Sequence, residues 1–225
     1  MSLTLLGGGV SPFVRKVRVV LAEKGLEYQH EQVNPFTPPA GWREISPLGR
    51  IPAFKDGDII INDSSVICQH IERRFPKPAL YPSDDYEFAR ALWIEEFMDG
   101  GVAPLAGPRI FAALALRPLI TQKPPSAEDE ETARKTFEQD LPPLFDYLEK
   151  ALGNEEFFVG GKISIADIAV ASPLVNMRYA GYAPTRKRWP KLRGFLERMW
   201  QRPSFKKPIE EETPIFGKRS ANIQD

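Results

Sequence analysis

Apolar and polar positions along the chain change their rhythm near residue 78. Before that point, short apolar runs alternate with amphipathic segments. "LTLL" (3–6) reads as a strand stopped by three glycines. Phe13, Val14, Val17, Val20 and Leu21 then fall at helical spacing, with Arg15, Lys16, Arg18, Glu23 and Lys24 on the other side. Pro12 suits the first helical position, where a missing N–H costs nothing, and Gly25 is placed as a stop. "EYQHEQV" (27–33) predicts a second strand with weaker alternation, followed by the Pro-rich loop "NPFTPPAGW" (34–42). "RIPAF" (50–54) and "IIIN" (59–62) flank "KDGD", and an Asp-Gly pair between apolar runs signals a hairpin. "DSSVICQHIERRF" (63–75) opens with capping residues and carries Val66, Ile67, His70, Ile71 and Phe75 at helical spacing. "PKPALYP" (76–82) ends it, so the order is β-α-β, then β-β-α.

From about residue 84 strand signals vanish. Residues 84–120 read as helical, disturbed by Gly100, Gly101, Pro104, Gly107 and Pro108, and end at Pro124 and Pro125. Further helices are expected over 127–152, 164–181 and 190–201, with a polar, poorly ordered tail over 210–225. Ser164 and Asp167 in "SIAD" have capping-box spacing and read as structural. Most of the 22 prolines lie at these breaks and support the segmentation. The expected organisation is an α/β domain over 1–77, a linker over 78–83 and an all-α domain over 84–225.

Composition narrows the function classes. Lys+Arg and Asp+Glu both total 30, and no element carries the basic excess of a nucleic-acid binder. A hydrophobic fraction of 42% supports a real core. The start "MSLTLLGGGV" lacks the basic region and apolar length of a signal peptide, and no run of 18 apolar residues suggests a membrane span. Cys68 is the one cysteine, which fits a reducing compartment, and reads as a buried structural residue rather than a redox centre. With it and only His30 and His70, a zinc site has little support. A cytoplasmic protein with no nucleic-acid or membrane partner is expected.

Three stretches could carry chemistry, and each has a plainer reading. Ser11 before Pro12 is a good helix cap. A hydroxyl at a helix N-terminus can also donate to an anion such as a thiolate, lowering its pKa. Pro52 cannot donate to a ladder and so marks an edge strand; a cis Ile51–Pro52 bond would instead turn the Ile51 backbone toward an extended peptide. Asp63 and Ser64 are caps, but a helix N-terminus and a carboxylate together also suit a zwitterion.

Their order is what speaks. "SPFVRKVRVVLAEKG", "SPLGRIPAF" and "DSSVICQHIE", followed by "FFVGGKISIADIAVASPL" (157–174), resemble the glutathione S-transferases, in particular cytosolic serine-type members of the bacterial and plant tau-like kind. The resemblance spans essentially the whole chain. It implies a thioredoxin-like glutathione-binding domain followed by an all-helical domain that forms the electrophile pocket. By that resemblance Ser11 is the catalytic residue that stabilises the glutathione thiolate. Phe13, Arg50, Ile51, Pro52, Asp63 and Ser64 bind glutathione, with Arg50, Trp42 or Arg43 facing its glycine carboxylate. Phe13, Leu105, Pro108 and Phe111 line the electrophile pocket, where Gly and Pro could bend the helix around a ligand. Asp63 stands where many relatives carry Glu. Trp93, Phe97, Trp189 and Trp200 read as core or interface aromatics.

The resemblance further implies glutathione as co-substrate, no metal, a small-molecule electrophile and a homodimer active in detoxification. The same thiolate could reduce hydroperoxides. Relatives that isomerise maleylacetoacetate carry a paired-serine motif that "SPFVRKVR" does not match. The rival class is a transferase-like protein without catalysis, acting through protein partners as relatives of stringent starvation protein A do, or carrying ligands.

Overall fold

A computed structural model describes residues 2–223, Asn222 by its backbone alone. The chain forms two compact units, Met1–Tyr81 and Pro82–Asp225. In the first unit the elements run β1 (Leu3–Leu6), α1 (Pro12–Glu23), β2 (Gln29–Glu31), α2 (Trp42–Ile45), β3 (Ala53–Asp56), β4 (Ile59–Asn62) and α3 (Ser64–Arg74). The sheet order is β2-β1-β3-β4, with β1 parallel to β2 and the other pairs antiparallel. This is the thioredoxin-like arrangement that the resemblance implied. All four residues of β1 are buried, as befits an inner strand covered on both faces. One face packs on α1 and α3 through Val14, Val17, Val20, Ile67 and Ile71. Leu6, Ala53, Val33 and Trp42 form a separate cluster with Ile45 and Ile51.

Several expectations need correction. β3 begins at Ala53, three residues after the expected start, because Pro52 has no N–H for the ladder. The hairpin turn is Gly57-Asp58; Asp56 is the last strand residue, opposite Ile59, and its carboxylate accepts from His70 Nε2 at 2.9 Å and Arg74 Nε at 2.8 Å. The polar side of α1 is not a solvated face: Arg15, Lys16, Arg18 and Lys24 are all buried. Lys24 shows why that is tolerable. Its Nζ donates to Phe75 O and Pro78 O, both at 2.8 Å, and pairs with Glu72 Oε2 at 2.6 Å. All three ammonium protons are thereby used. Gly25 ends α1 as expected, at φ 64°, with Gly25 N bonded to Ala22 O and Leu26 N to Leu21 O.

The second unit is all helical: α4 (Asp85–Thr121), α5 (Ala127–Lys135), α6 (Pro142–Leu152), α7 (Ile165–Tyr179), α8 (Pro190–Gln201) and α9 (Pro203–Phe216). The prolines and glycines expected to disturb α4 do not interrupt it. Phe97–Val102 and Gly107–Leu116 take π-helical turns instead. Ile94, Met98, Val102, Ala106, Ile110 and Leu114 are buried at a strict four-residue spacing. On a regular α-helix that row drifts by about 40° per step, since 3.6 residues make a turn. Wider π turns oppose the drift and hold the row against the core. One stretch of α4 is apolar and long enough to cross a membrane, but a core helix satisfies the same criteria, and this row is buried inside the protein.

The helix expected over 127–152 divides at Leu141, because Pro142 and Pro143 cannot continue the bonding and start α6 anew. The expected loose tail is also corrected. α9 and a 3₁₀ turn over Gly217–Asn222 occupy most of it, tied by Tyr179 Oη to Glu212 Oε2 at 3.0 Å and by Arg219 to Glu130. Gln224 and Asp225 lie outside the described residues. Trp189 and Trp200 are buried as expected, whereas Trp93 is half exposed and bonded to Tyr147 Oη.

α7 is buried along nearly its whole length and starts at the Ser164–Asp167 box. Asp167 Oδ2 accepts from Ser164 N and Oγ, and Oδ1 from Phe158 N, each at 2.8 Å. Burial outweighs those donors and pushes the Asp167 carboxyl up to about 6 from 3.8.

Two measurements check these points. Lys24→Met should lower the unfolding free energy by roughly 3 kcal/mol in urea titration, since it strands a carboxylate and two carbonyls; a loss under about 1 kcal/mol would show that the ammonium is dispensable. Asp167 binds its proton more tightly folded than unfolded, so its contribution is full below pH 3.8 and is lost as pH rises through about 6. The stability advantage of wild type over Asp167→Asn should therefore shrink between these values. A pH-independent difference would show an ordinary carboxyl.

Candidate functional site

The register of the sheet assembles the site. Leu6 pairs with Glu31 on one side and Ala53 on the other, and Ala53 pairs with Asn62. All four strands thus end in one row. Ser11 follows the β1 end of it, Ile51–Pro52 precede the β3 end, and Asp63–Ser64 follow the β4 end. Three motifs remote in sequence share one edge of the first unit.

Gly7 lets them come close. A Cβ on Gly7 would lie 2.5 Å from Val14 Cγ2 and 3.2 Å from Ile51 Cβ, so a side chain there would wedge α1 away from Ile51. His30 Nε2 holds Gly7 O at 2.9 Å, and Gln32 Oε1 accepts from Gly9 N at 3.1 Å. On the other flank, Lys16 Nζ donates to Ser65 Oγ at 3.0 Å, joining the first turns of α1 and α3. Sequence reasoning gave no role to Gly7 or Lys16: Gly7 is one of three glycines that stop β1, and Lys16 one of the polar residues opposite the apolar side of α1.

Ser11 caps α1. Its Oγ accepts from Val14 N at 3.4 Å, while its own hydroxyl hydrogen has no acceptor among the described residues. Ile51–Pro52 is cis, as is Lys77–Pro78, which the sequence reading did not anticipate. Ile51 lies outside the β1–β3 ladder, so the sheet does not use its N–H and C=O. Asp63, at φ 72°, caps α3 through Oδ1, which accepts from Ser65 N at 2.9 Å and Val66 N at 3.3 Å. Ser64 is buried, and its hydroxyl has no partner among the described residues. Arg50 is exposed and its guanidinium engages none of them. Phe13 is half-buried in the first turn of α1. Trp42 is buried in the small cluster, with no partner for its Nε1 among the described residues, and the exposed Arg43 donates through Nη1 to Pro47 O at 3.0 Å.

In the second unit Leu105 is half-buried and Pro108 exposed on α4. Phe111 is buried against Phe216, ring centroids 5.9 Å apart. The expected pocket residues are therefore one half-open, one exposed and one packed. Cys68 is buried, as its place on α3 suggested.

The sequence models of two domains decide the family. The glutathione S-transferase N-terminal domain matches residues 5–79, and the glutathione S-transferase C-terminal domain matches 116–212. The chain belongs to the glutathione S-transferase family. Among relatives, glutathione S-transferase Z2 of Arabidopsis thaliana is 28% identical over 91% of this chain and 89% of its own length. A stringent starvation protein A homolog of Haemophilus ducreyi is 27% identical over 90% and 87%. A solved glutathione S-transferase from Rhodospirillum rubrum shares the fold, with a TM-score of 0.84 at 24% identity and 98% of each chain covered. The match to the family's N-terminal domain covers nearly the whole of the first unit, and the match to its C-terminal domain lies within the second.

Proposed function

We propose that this family member is a serine-type glutathione transferase. One observation carries the reading: Ser11 spends only its acceptor side on the helix and keeps a hydroxyl proton to donate. A thiolate lying against that proton and the first turn of α1 is stabilised, and its pKa falls toward neutrality. The thiolate sulfur then forms a bond to an electrophilic carbon as the leaving group departs. Proximity and thiolate stabilisation supply the rate.

The remaining groups fit glutathione as an extended peptide. Ile51 offers its backbone to the cysteinyl segment. The γ-glutamyl carboxylate meets the α3 N-terminus and the Ser64 hydroxyl, and its ammonium meets Asp63. Arg50 faces the glycine carboxylate. Phe13, Leu105, Pro108 and Phe111 are assigned to the electrophile pocket, and the 78–83 linker to the division between domains. The same thiolate suits hydroperoxide reduction. A cytoplasmic detoxifying role and a homodimer complete the proposal; light scattering at micromolar concentration should give twice the chain mass of 25.4 kDa.

Likeness to the stringent starvation protein A homolog favours the second reading, action through a protein partner. Glutathione binding separates the two. Ser11→Ala should still bind glutathione, raise the bound thiol's pKa and cut turnover of chlorodinitrobenzene roughly 100-fold, the scale for losing one preorganised donor. Loss of the cap costs only about 1 kcal/mol, so the fold survives. Wild type that binds no glutathione would favour the partner reading.

A further inference from the structure

The second unit holds a cleft of about 330 Å³, within the size range of small-molecule sites, that none of the glutathione or electrophile candidates lines. Phe137 and Glu138 reach it from the π turn Thr136–Asp140 that extends α5. Tyr182 and Thr185 reach it from the loop after α7, and Arg219 from the 3₁₀ turn. The Phe137 and Tyr182 rings stand 5.0 Å apart, and Phe137 is backed by Trp189 and Phe145.

The polar groups are unevenly committed. Both Nη atoms of Arg219 go to Glu130, at 2.9 and 3.0 Å. Its Nε is buried and has no acceptor among the described residues. Buried donors are nearly always paired, so this Nε marks a local polar demand that the described residues do not meet. The Tyr182 hydroxyl also has no partner among the described residues. Burial, then the Glu130 carboxylate, holds its pKa above the ordinary value, so it remains a donor. Charges around the cleft balance: Arg134, Lys135 and Arg219 pair with Glu131, Glu138 and Glu130. Among the described residues that line the cleft, no charged side chain is left unpaired to recruit an ion. What remains is a ring surface and one open donor, the Tyr182 hydroxyl.

We infer that this cleft binds a small, neutral, flat aromatic molecule bearing a carbonyl or similar oxygen acceptor. The ring packs on Phe137 and Tyr182, and the oxygen accepts from the Tyr182 hydroxyl. This site is independent of the proposed glutathione chemistry.

The neutral naphthyl ketone prodan serves as probe, because its emission shifts to the blue on leaving water. Wild type should bind it saturably. Thr185→Trp, which fills the cleft, and Tyr182→Ala, which removes a ring and a donor, should each weaken binding roughly tenfold or more while circular dichroism is unchanged. Saturating S-hexylglutathione should leave binding intact. The inference is overturned if wild type gives no blue shift, or if both folded variants bind as wild type does. Displacement by S-hexylglutathione would also overturn it, assigning the ketone to the electrophile pocket.

Discussion

One row of the sheet, Glu31–Leu6–Ala53–Asn62, is the constraint on which the first unit depends. A one-residue slip turns every side chain of a strand to the opposite face, and with all four residues of β1 buried any slip must repack the core on both sides. Fixing that row fixes where each following or preceding loop emerges. Ser11, Ile51 and Asp63 then share an edge although they are separated by 40 and 12 positions in sequence.

Lysines complete what the sheet begins. Lys16 bonds Ser65 near the starts of α1 and α3, and Lys24 pairs with Glu72 near their ends. The two helices therefore run in the same direction with their N-termini side by side. Two donor ends, each favouring negative charge, are presented together. Burying an ammonium is costly unless every proton is used, and Lys24 meets that condition with one carboxylate and two carbonyls. The same logic explains Asp167, buried under three donors at the head of α7. In both units a satisfied polar group at a helix end holds apolar packing in place.

The helical unit solves a different problem. Proline within a long helix removes a bond, yet α4 passes Pro104, Pro108 and Pro118 unbroken. Its π turns spread the bonding over one more residue and keep the buried row from Ile94 to Leu114 facing the core. Where two prolines stand in succession, at Pro142 and Pro143, the bonding cannot be spread and the helix restarts.

By itself the sequence determined what depends on local chemistry. Pro12 after Ser11, Gly25, the Asp63 cap and the Ser164–Asp167 box marked helix ends to within a residue, because capping is a contact between near neighbours. The order of the strands and of α1 and α3, and the three motifs at its joints, followed from the same signals, whereas the one-turn helix α2 (Trp42–Ile45) was not read from them. Tertiary structure alone decided that Arg15, Lys16, Arg18 and Lys24 are buried, that Gly7 must lack a side chain, and that Phe111 packs on Phe216. It also ordered the tail, through Glu212 and Arg219, and opened the cleft beside Tyr182. Each of these depends on a partner far along the chain, and the period of an isolated helix carries no record of what lies against it.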